Sequence, residues 1–118
     1  MLENLIRDSL LLDFYGELLP EKQREFFRLY YEENCSLQEI ADDFGLSRQG
    51  VHDAVKKAEG SLAGYEEKLG LVERFMSTRR ILDSVSSEME ALMAERKDDA
   101  DLGEKLSKMR KKLEDLES

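Results

Sequence analysis

The sequence predicts an all-α protein, and three observations support that prediction. No segment alternates apolar and polar residues as a half-buried strand does, so neither strands nor a β wing are expected. The 118 residues include one proline and no tryptophan, and 38% of them are charged, which is typical of long solvated helices. Apolar residues make up 41%, enough for one modest core. We therefore expect one domain over residues 1–70 and a long helical extension over residues 71–118.

The first two helices are expected before residue 32. Residues 2–17 carry apolar side chains at helical spacing, and the following are predicted to face inward: Leu2, Leu5, Ile6, Leu10 and Phe14. Because residues 10–12 are all leucine, one flank of this helix is also free to meet a partner. Pro20 fits the first position of the second helix, where its missing N–H costs nothing. The aromatic residues that follow it are predicted to pack in the core.

Residues 36–57 have the spacing of two helices joined by a tight turn. The first helix has an apolar stripe, formed by Leu37, Ile40, Ala41 and Phe44. Gly45 supplies the left-handed conformation that ends this helix, and Ser47 caps the next one. The second helix has its own stripe, formed by Val51, Ala54 and Val55. Because Ala41 is small, the two helices can approach closely, and the arrangement predicts a helix-turn-helix.

The start of the second motif helix carries the candidate binding residues. In helix-turn-helix proteins that bind DNA, this helix enters the major groove by its N-terminal end. The candidate nucleic-acid contacts are Ser47, Arg48, Gln49, His52, Lys56 and Lys57. Arg and Gln side chains suit base edges, whereas lysines suit phosphates. The alternative interpretation is an ordinary helical hairpin that contacts nothing, with His52 as an exposed histidine of no special role.

The C-terminal part of the chain is predicted to be helical throughout. The second motif helix is expected to continue towards Gly70, and a further long helix from Leu71 to about Lys97. Residues 98–101 then break the pattern. The last segment has apolar residues at alternating spacings of four and three: Leu102, Leu106, Met109, Leu113 and Leu116. This coiled-coil seam is too short to be stable alone. It must lie on another helix of the chain or, as we expect, on a second copy in a homodimer.

The charge balance argues against strong non-specific DNA binding. The chain has 27 acidic and 18 basic residues, a formal net charge of −9. Even residues 37–60 carry five acids against three bases. Long-range attraction to phosphate is therefore weak. DNA binding by this chain would need a dimer, a specific site, or both.

No catalytic or metal-binding constellation is predicted. With one histidine and one cysteine, the chain offers neither a His-Cys metal site nor a Cys–His nucleophile pair. No glycine-rich phosphate loop occurs. We therefore expect a binding protein that is not an enzyme and that has no cofactor. Cys35 has no partner for an internal disulfide, which fits a reducing cytoplasm, and no membrane association is expected.

Several motifs resemble those of one bacterial family. They are Asp13-Phe14-Tyr15, Leu-Leu-Pro-Glu-Lys-Gln-Arg at 18–24, Leu-Tyr-Tyr at 29–31, Ser-Leu-Gln-Glu-Ile-Ala at 36–41, Leu46-Ser47-Arg48-Gln49 and Tyr65-Glu66-Glu67-Lys68-Leu69. On these motifs the chain resembles the YlxM family of helix-turn-helix proteins. Residues 18–62 more distantly resemble the promoter-reading fourth region of sigma factors. The resemblance implies a small cytoplasmic protein encoded beside the GTPases of the signal recognition particle, with a regulatory role in that secretion pathway.

The resemblance leaves two functions open. Residues 47–49 match the start of the sigma-like recognition helix, and Gly45 matches its turn. Gly50 and Asp53 depart from that pattern, which argues against sigma-like promoter reading. The first function is a dimeric DNA-binding regulator, which the start of the second motif helix favours. The second is an accessory protein that docks on a GTPase or the RNA of the signal recognition particle, which the acidic balance favours.

Overall fold

The computed structural model describes residues 2–116, with side chains from Leu5 to Leu116. This part of the chain is helical, so the all-α prediction is confirmed. The helices are α1 (Leu2–Tyr15), α2 (Glu21–Tyr31), α3 (Leu37–Phe44), α4 (Arg48–Leu69), α5 (Leu71–Glu95) and α6 (Ala100–Asp115). A short 3-10 helix, Gly16–Leu18, follows α1. The chain divides into two compact units between Glu73 and Arg74.

Helices α2, α3 and α4 build the core of the N-terminal unit. One cluster of buried residues in this core consists of Phe26, Leu37, Ile40, Ala41, Val51 and Val55. Phe44 packs edge-on against Phe26, with ring centroids 5.0 Å apart. The apolar stripes of both motif helices thus face the core as predicted, and the fully buried Ala41 belongs to the same cluster as Val51 and Val55. Close approach of the two helices depends on the small side chain at position 41.

The inward face of α1 differs from the prediction. Leu11 and Tyr15 are buried, whereas Leu5, Ile6 and Phe14 are 54%, 47% and 40% exposed. Leu10 is half-buried, and the side chain of Leu2 lies outside the described residues. The prediction failed because the three consecutive leucines at 10–12 project in different directions around the helix. The spacing of apolar residues alone therefore does not show which face is buried. Tyr15 is buried instead, because Glu66 in another part of the chain accepts a hydrogen bond from its hydroxyl.

Helix α4 runs without a break from Arg48 to Leu69, as the periodicity predicts. Its buried stripe consists of Val51, Val55, Ala58 and Leu62. Gly60 and Gly64 lie on the far side, where an added Cβ would meet nothing within 4 Å. Each glycine costs about 1 kcal/mol in a helix interior. Burial of the opposite stripe offsets that cost, since each valine or leucine contributes about 1.5–3 kcal/mol.

The C-terminal unit is a hairpin of two helices. Asp99 caps α6 by accepting a hydrogen bond from the Leu102 N–H at 3.1 Å. Helix α6 runs back along α5, as the 3.2 Å distance between Arg110 Nη1 and Glu90 Oε1 shows. Of the predicted seam, Leu106 is buried and two members are half-buried, so part of the seam is covered within the chain. Two other members remain open, Met109 at 54% exposure and Leu116 at 72%.

Candidate nucleic-acid interface

Local hydrogen bonds fix the start of α3 and the turn that joins it to α4. Helix α3 begins with a capping box, in which the Glu39 N–H donates to Ser36 Oγ at 3.0 Å and the Ser36 N–H donates to Glu39 Oε1 at 3.1 Å. Gly45 ends α3 at φ 66°, the left-handed conformation that glycine adopts without strain. The Leu46 N–H then donates to the Ala41 carbonyl at 2.9 Å. These bonds hold the start of α4 at a defined distance from α3.

Ser47 caps α4, as the sequence predicts. Its Oγ accepts a hydrogen bond from the Gly50 N–H at 3.0 Å. A Cβ at position 50 would lie 3.1 Å from this Oγ, closer than an ordinary van der Waals contact. The Ser36 cap of α3 makes the same 3.0 Å bond with Glu39 at the equivalent position, so this kind of cap does not require a glycine. The hydroxyl of Ser47 serves the helix itself, and it is Arg48 and Gln49 that project from the capped end as exposed residues.

Gln49, His52 and Asp53 form a small polar cluster on the exposed side of α4. Gln49 Nε2 donates to Asp53 Oδ1 at 2.9 Å. His52 Nδ1 lies 3.6 Å from the same oxygen, and its side chain is 42% exposed. Nδ1 itself is shielded from solvent and makes no hydrogen bond within the described residues. Two of the predicted contact residues are thus arranged around one carboxylate.

Lys56 is held by a second carboxylate. Its Nζ lies 3.4 Å from Glu59 Oε2, and the hydroxyl of Tyr31 donates to Glu59 Oε1. Burial and the hydrogen bond to Glu59 raise the pKa of Tyr31, so this hydroxyl stays a donor across the physiological range. Burial and the negative charge of Glu59 also raise the pKa of Asp8. The groove beside this cluster has a volume of about 320 Å³.

The structure brings most of the predicted residues onto one side of α4. At 100° per residue, Arg48, Gln49, His52 and Lys56 fall within an arc of about 100°, whereas Lys57 lies about 80° beyond its edge. Lys57 is exposed and, like Arg48, makes no ion pair within the described residues. The two carboxylates attached to this surface lower its positive charge.

Sequence reasoning overlooked both carboxylates as partners of the candidate contacts. Asp53 follows Gln49 by four residues, and Glu59 follows Lys56 by three. Residues at these spacings are neighbours on a helix surface, so both pairs could have been predicted from the sequence. The bond from Tyr31 to Glu59 joins residues 28 apart in sequence. Nothing local in the sequence indicates that contact.

Sequence reasoning also missed a buried carboxylate at the far end of α4. Glu66 is only 7% exposed, and its Oε1 accepts hydrogen bonds from the Tyr15 hydroxyl at 2.6 Å and from the Val72 N–H at 3.0 Å. Its Oε2 accepts from the Glu73 N–H at 3.0 Å. The Tyr15 hydroxyl in turn accepts from the Leu71 N–H at 3.1 Å. Glu66 and Tyr15 therefore satisfy the free backbone N–H groups at the start of α5, the role that a local cap usually has.

The hydrogen bonds around Glu66 decide its protonation. Burial alone would raise the pKa of this carboxyl, because it disfavours the charged form. The bonds from Tyr15, Val72 and Glu73 outweigh burial and lower the pKa below its ordinary value. Glu66 is therefore an anion at neutral pH. Its negative charge lies at the positive end of α5, where the helix dipole stabilises it.

Comparison with known proteins assigns the family. Residues 2–104 match the model of family UPF0122, described as "Putative helix-turn-helix protein, YlxM / p13 like". The chain belongs to the UPF0122 family. The resemblance found in the sequence motifs is thereby confirmed.

Relatives in this family match along most of their length. A UPF0122 protein of Thermoanaerobacter sp. (strain X514) is 43% identical over 108 residues, which cover 92% of each chain. One from Bacillus cereus (strain AH187) is 43% identical over 109 residues, covering 90% of this chain and 99% of the relative. One from Desulforamulus reducens is 51% identical over 77 residues, covering 65% of this chain and 66% of the relative. The family match includes all of α1 to α5 but only the first turn of α6.

Two features absent from the described residues bear on the kind of site. They contain no group of three or more His, Cys, Asp or Glu residues suited to holding a metal ion. Within the same range, no helix combines the length and apolar content that a membrane span requires.

Cys35 is half-buried, with its Sγ 4.0 Å from the Glu33 carbonyl oxygen.

Proposed function

We propose that this protein is a DNA-binding regulatory protein in which α4 enters the major groove by its N-terminal end. In this proposal Arg48 and Gln49 contact base edges, and His52, Lys56 and Lys57 lie closer to the phosphates. Ser47 acts mainly through its cap. The observation that carries the proposal is the geometry of the turn: with Gly45 ending α3 and Ser47 capping α4, it presents exposed Arg48 and Gln49 on the first turn of a 22-residue helix.

The distribution of charge sets the expected mode of binding. Residues 1–73 contain sixteen acids against eight bases, a net charge of −8, whereas residues 74–118 carry eleven acids and ten bases. Non-specific attraction to DNA is therefore low. We expect binding to depend on a specific site and on two copies acting together. The fourth region of sigma factors has similar motif spacing. Asp53 departs from its pattern, so we expect the DNA sequence bound to differ from a sigma-factor promoter element.

The second copy is proposed to join through residues 71–118. Within the C-terminal unit, Ile81, Met109 and Leu116 are 61%, 54% and 72% exposed. A hairpin of two helices that leaves such side chains open gains stability when a second hairpin covers them. Two motifs in a dimer would then read half-sites about one turn of DNA apart.

The proposed setting is the bacterial cytoplasm and the signal recognition particle pathway. This part of the proposal rests on the resemblance to the YlxM family. A regulator of that pathway would act on the expression of its own neighbouring genes, so the promoter of its own operon is the first DNA to test. No enzymatic step and no cofactor are part of this proposal.

Binding to that promoter DNA, measured by fluorescence anisotropy over a salt series, tests the proposal. Arg48→Ala should weaken specific binding about 5- to 150-fold. Lys56→Ala should weaken binding to all sequences alike and lower the salt slope by about one. Lys68→Ala near the end of α4 removes the same charge from an exposed position outside both the proposed DNA interface and the residues proposed to form the dimer, and it is the matched control. Equal losses in Arg48→Ala and Lys68→Ala would contradict the proposal.

A second function is favoured by the surface of the N-terminal unit. Its net charge of −8 and the exposed Leu5 and Ile6 on α1 suit a basic protein partner better than DNA. In this alternative the protein is an accessory factor that docks on a GTPase of the signal recognition particle pathway, whereas docking on the particle's RNA would meet the same phosphate repulsion as DNA. Capture of that GTPase, together with no binding to promoter DNA at low salt, would replace the first function by the second.

A further inference from the structure

Asp53 places a negative charge on the side of α4 that would approach DNA. Its side chain is 63% exposed, so phosphate groups would repel it directly. The carboxylate is nevertheless engaged, because Oδ1 accepts a hydrogen bond from Gln49 Nε2 at 2.9 Å. Gln49 lies one turn closer to the start of the helix, at the position expected to meet a base edge. Asp53 can therefore affect which base Gln49 contacts, in addition to repelling phosphates.

The bond to Asp53 changes what Gln49 can offer a base. A glutamine amide has two N–H donors and one carbonyl acceptor. One N–H is committed to Asp53, and no other hydrogen bond of this side chain occurs within the described residues. The amide therefore presents one N–H and one Oε1 to the groove. Its orientation is set before DNA arrives, since the i to i+4 bond removes freedom from the side chain.

We propose that Asp53 is a positioning residue that strengthens the preference of Gln49 for adenine over guanine. Adenine shows one donor, N6, and one acceptor, N7, in the major groove. Oε1 and the remaining N–H of Gln49 match that pair. Guanine shows two acceptors, O6 and N7, and would need both N–H groups. Asp53 competes with guanine for one of them. This inference rests on the proposed DNA-binding function and specifies one base preference within it.

The test uses selection from a duplex DNA library with a randomised central segment, performed with the full-length protein. Selected duplexes are then varied between A·T and G·C at each position, and affinities are measured by anisotropy. Gln49→Ala identifies the base pair that Gln49 reads. Asp53→Ala removes both the charge and the acceptor, whereas Asp53→Asn removes the charge and keeps an acceptor oxygen. Thermal melts verify that each variant folds.

The expected preference of the wild type for adenine over guanine at that pair is about 5- to 150-fold. Asp53→Ala should reduce this ratio about 1.5- to 2-fold, the share that an i to i+4 bond between glutamine and aspartate contributes, and Asp53→Asn should retain it. Both variants should bind every sequence more tightly, because each loses a repelling charge. An unchanged ratio in Asp53→Ala would overturn the inference and leave the proposed function standing. A wild type that selects no sequence and binds no duplex at low salt would overturn both.

Discussion

Replacing Glu66 tests how the N-terminal unit holds the start of α5. In Glu66→Ala, two donors in buried residues lose their acceptor: the N–H of Val72, which is fully buried, and the hydroxyl of Tyr15, which is 1% exposed. Each unsatisfied buried donor costs about 1–3 kcal/mol. The Glu73 N–H belongs to an exposed residue and can turn to water. Relief from burying a charge offsets part of the loss. We expect a net destabilisation of about 2–5 kcal/mol.

Urea unfolding followed by tyrosine fluorescence measures this change in the correct unit, because all four tyrosines precede Arg74. Glu67→Ala removes the same charge from the exposed neighbouring position and should change stability by less than about 0.5 kcal/mol. Tyr15→Phe should cost less than Glu66→Ala, since it removes one hydroxyl and leaves the carboxylate bonded to two backbone donors. Equal unfolding midpoints for Glu66→Ala and Glu67→Ala would refute the reasoning.

Three further predictions concern stability and assembly. Ala41→Leu should lower stability by about 1–3 kcal/mol through overpacking, and an unchanged melting temperature would show that position 41 is not at the crossing of α3 and α4. The lowered pKa of Glu66 means that its contribution is complete above 4.5, the ordinary value, and is lost as pH falls through the folded-state pKa. Urea midpoints should therefore fall less steeply with acid in Glu66→Gln than in the wild type. Truncation after Lys97 should weaken the dimer in light-scattering dilution series, and a monomeric wild type at all concentrations would contradict the proposed dimer.

The motif was predictable because its signals are local. Ser36, Gly45 and Ser47 act on backbone groups within five residues of themselves, so their roles can be read directly from the sequence. The apolar stripes of α3 and α4 are equally local, since each repeats at helical spacing. Their burial in one cluster agrees with the prediction from spacing.

The contacts that sequence reasoning missed depend on the tertiary fold. Tyr15 and Glu66 are 51 residues apart, and each is an ordinary surface-compatible residue in its own helix. Burial of both side chains is favourable only because they bond each other and the backbone N–H groups at the start of α5. The inward face of α1 was predicted wrongly for the same reason. Tyr15 is held in the core by residues distant in sequence, and the spacing of apolar residues within α1 carries no information about them.

The candidate site was predictable in part. The spacing that places Arg48, Gln49, His52 and Lys56 on one side of α4 follows from helix geometry. The engagement of Gln49 by Asp53 does not follow from it, because an exposed carboxylate at this spacing can also point to solvent. The function of these residues stays a prediction, since fold and function are separate claims.

Selection from the randomised duplex library at low salt tests the central claim most directly. The DNA-binding proposal predicts that the wild type enriches one sequence motif, present as two half-sites about one helical turn apart, and that Arg48→Ala loses this enrichment. A wild type that enriches no motif, and whose residual DNA binding is the same in Arg48→Ala as in the Lys68→Ala control, would contradict it.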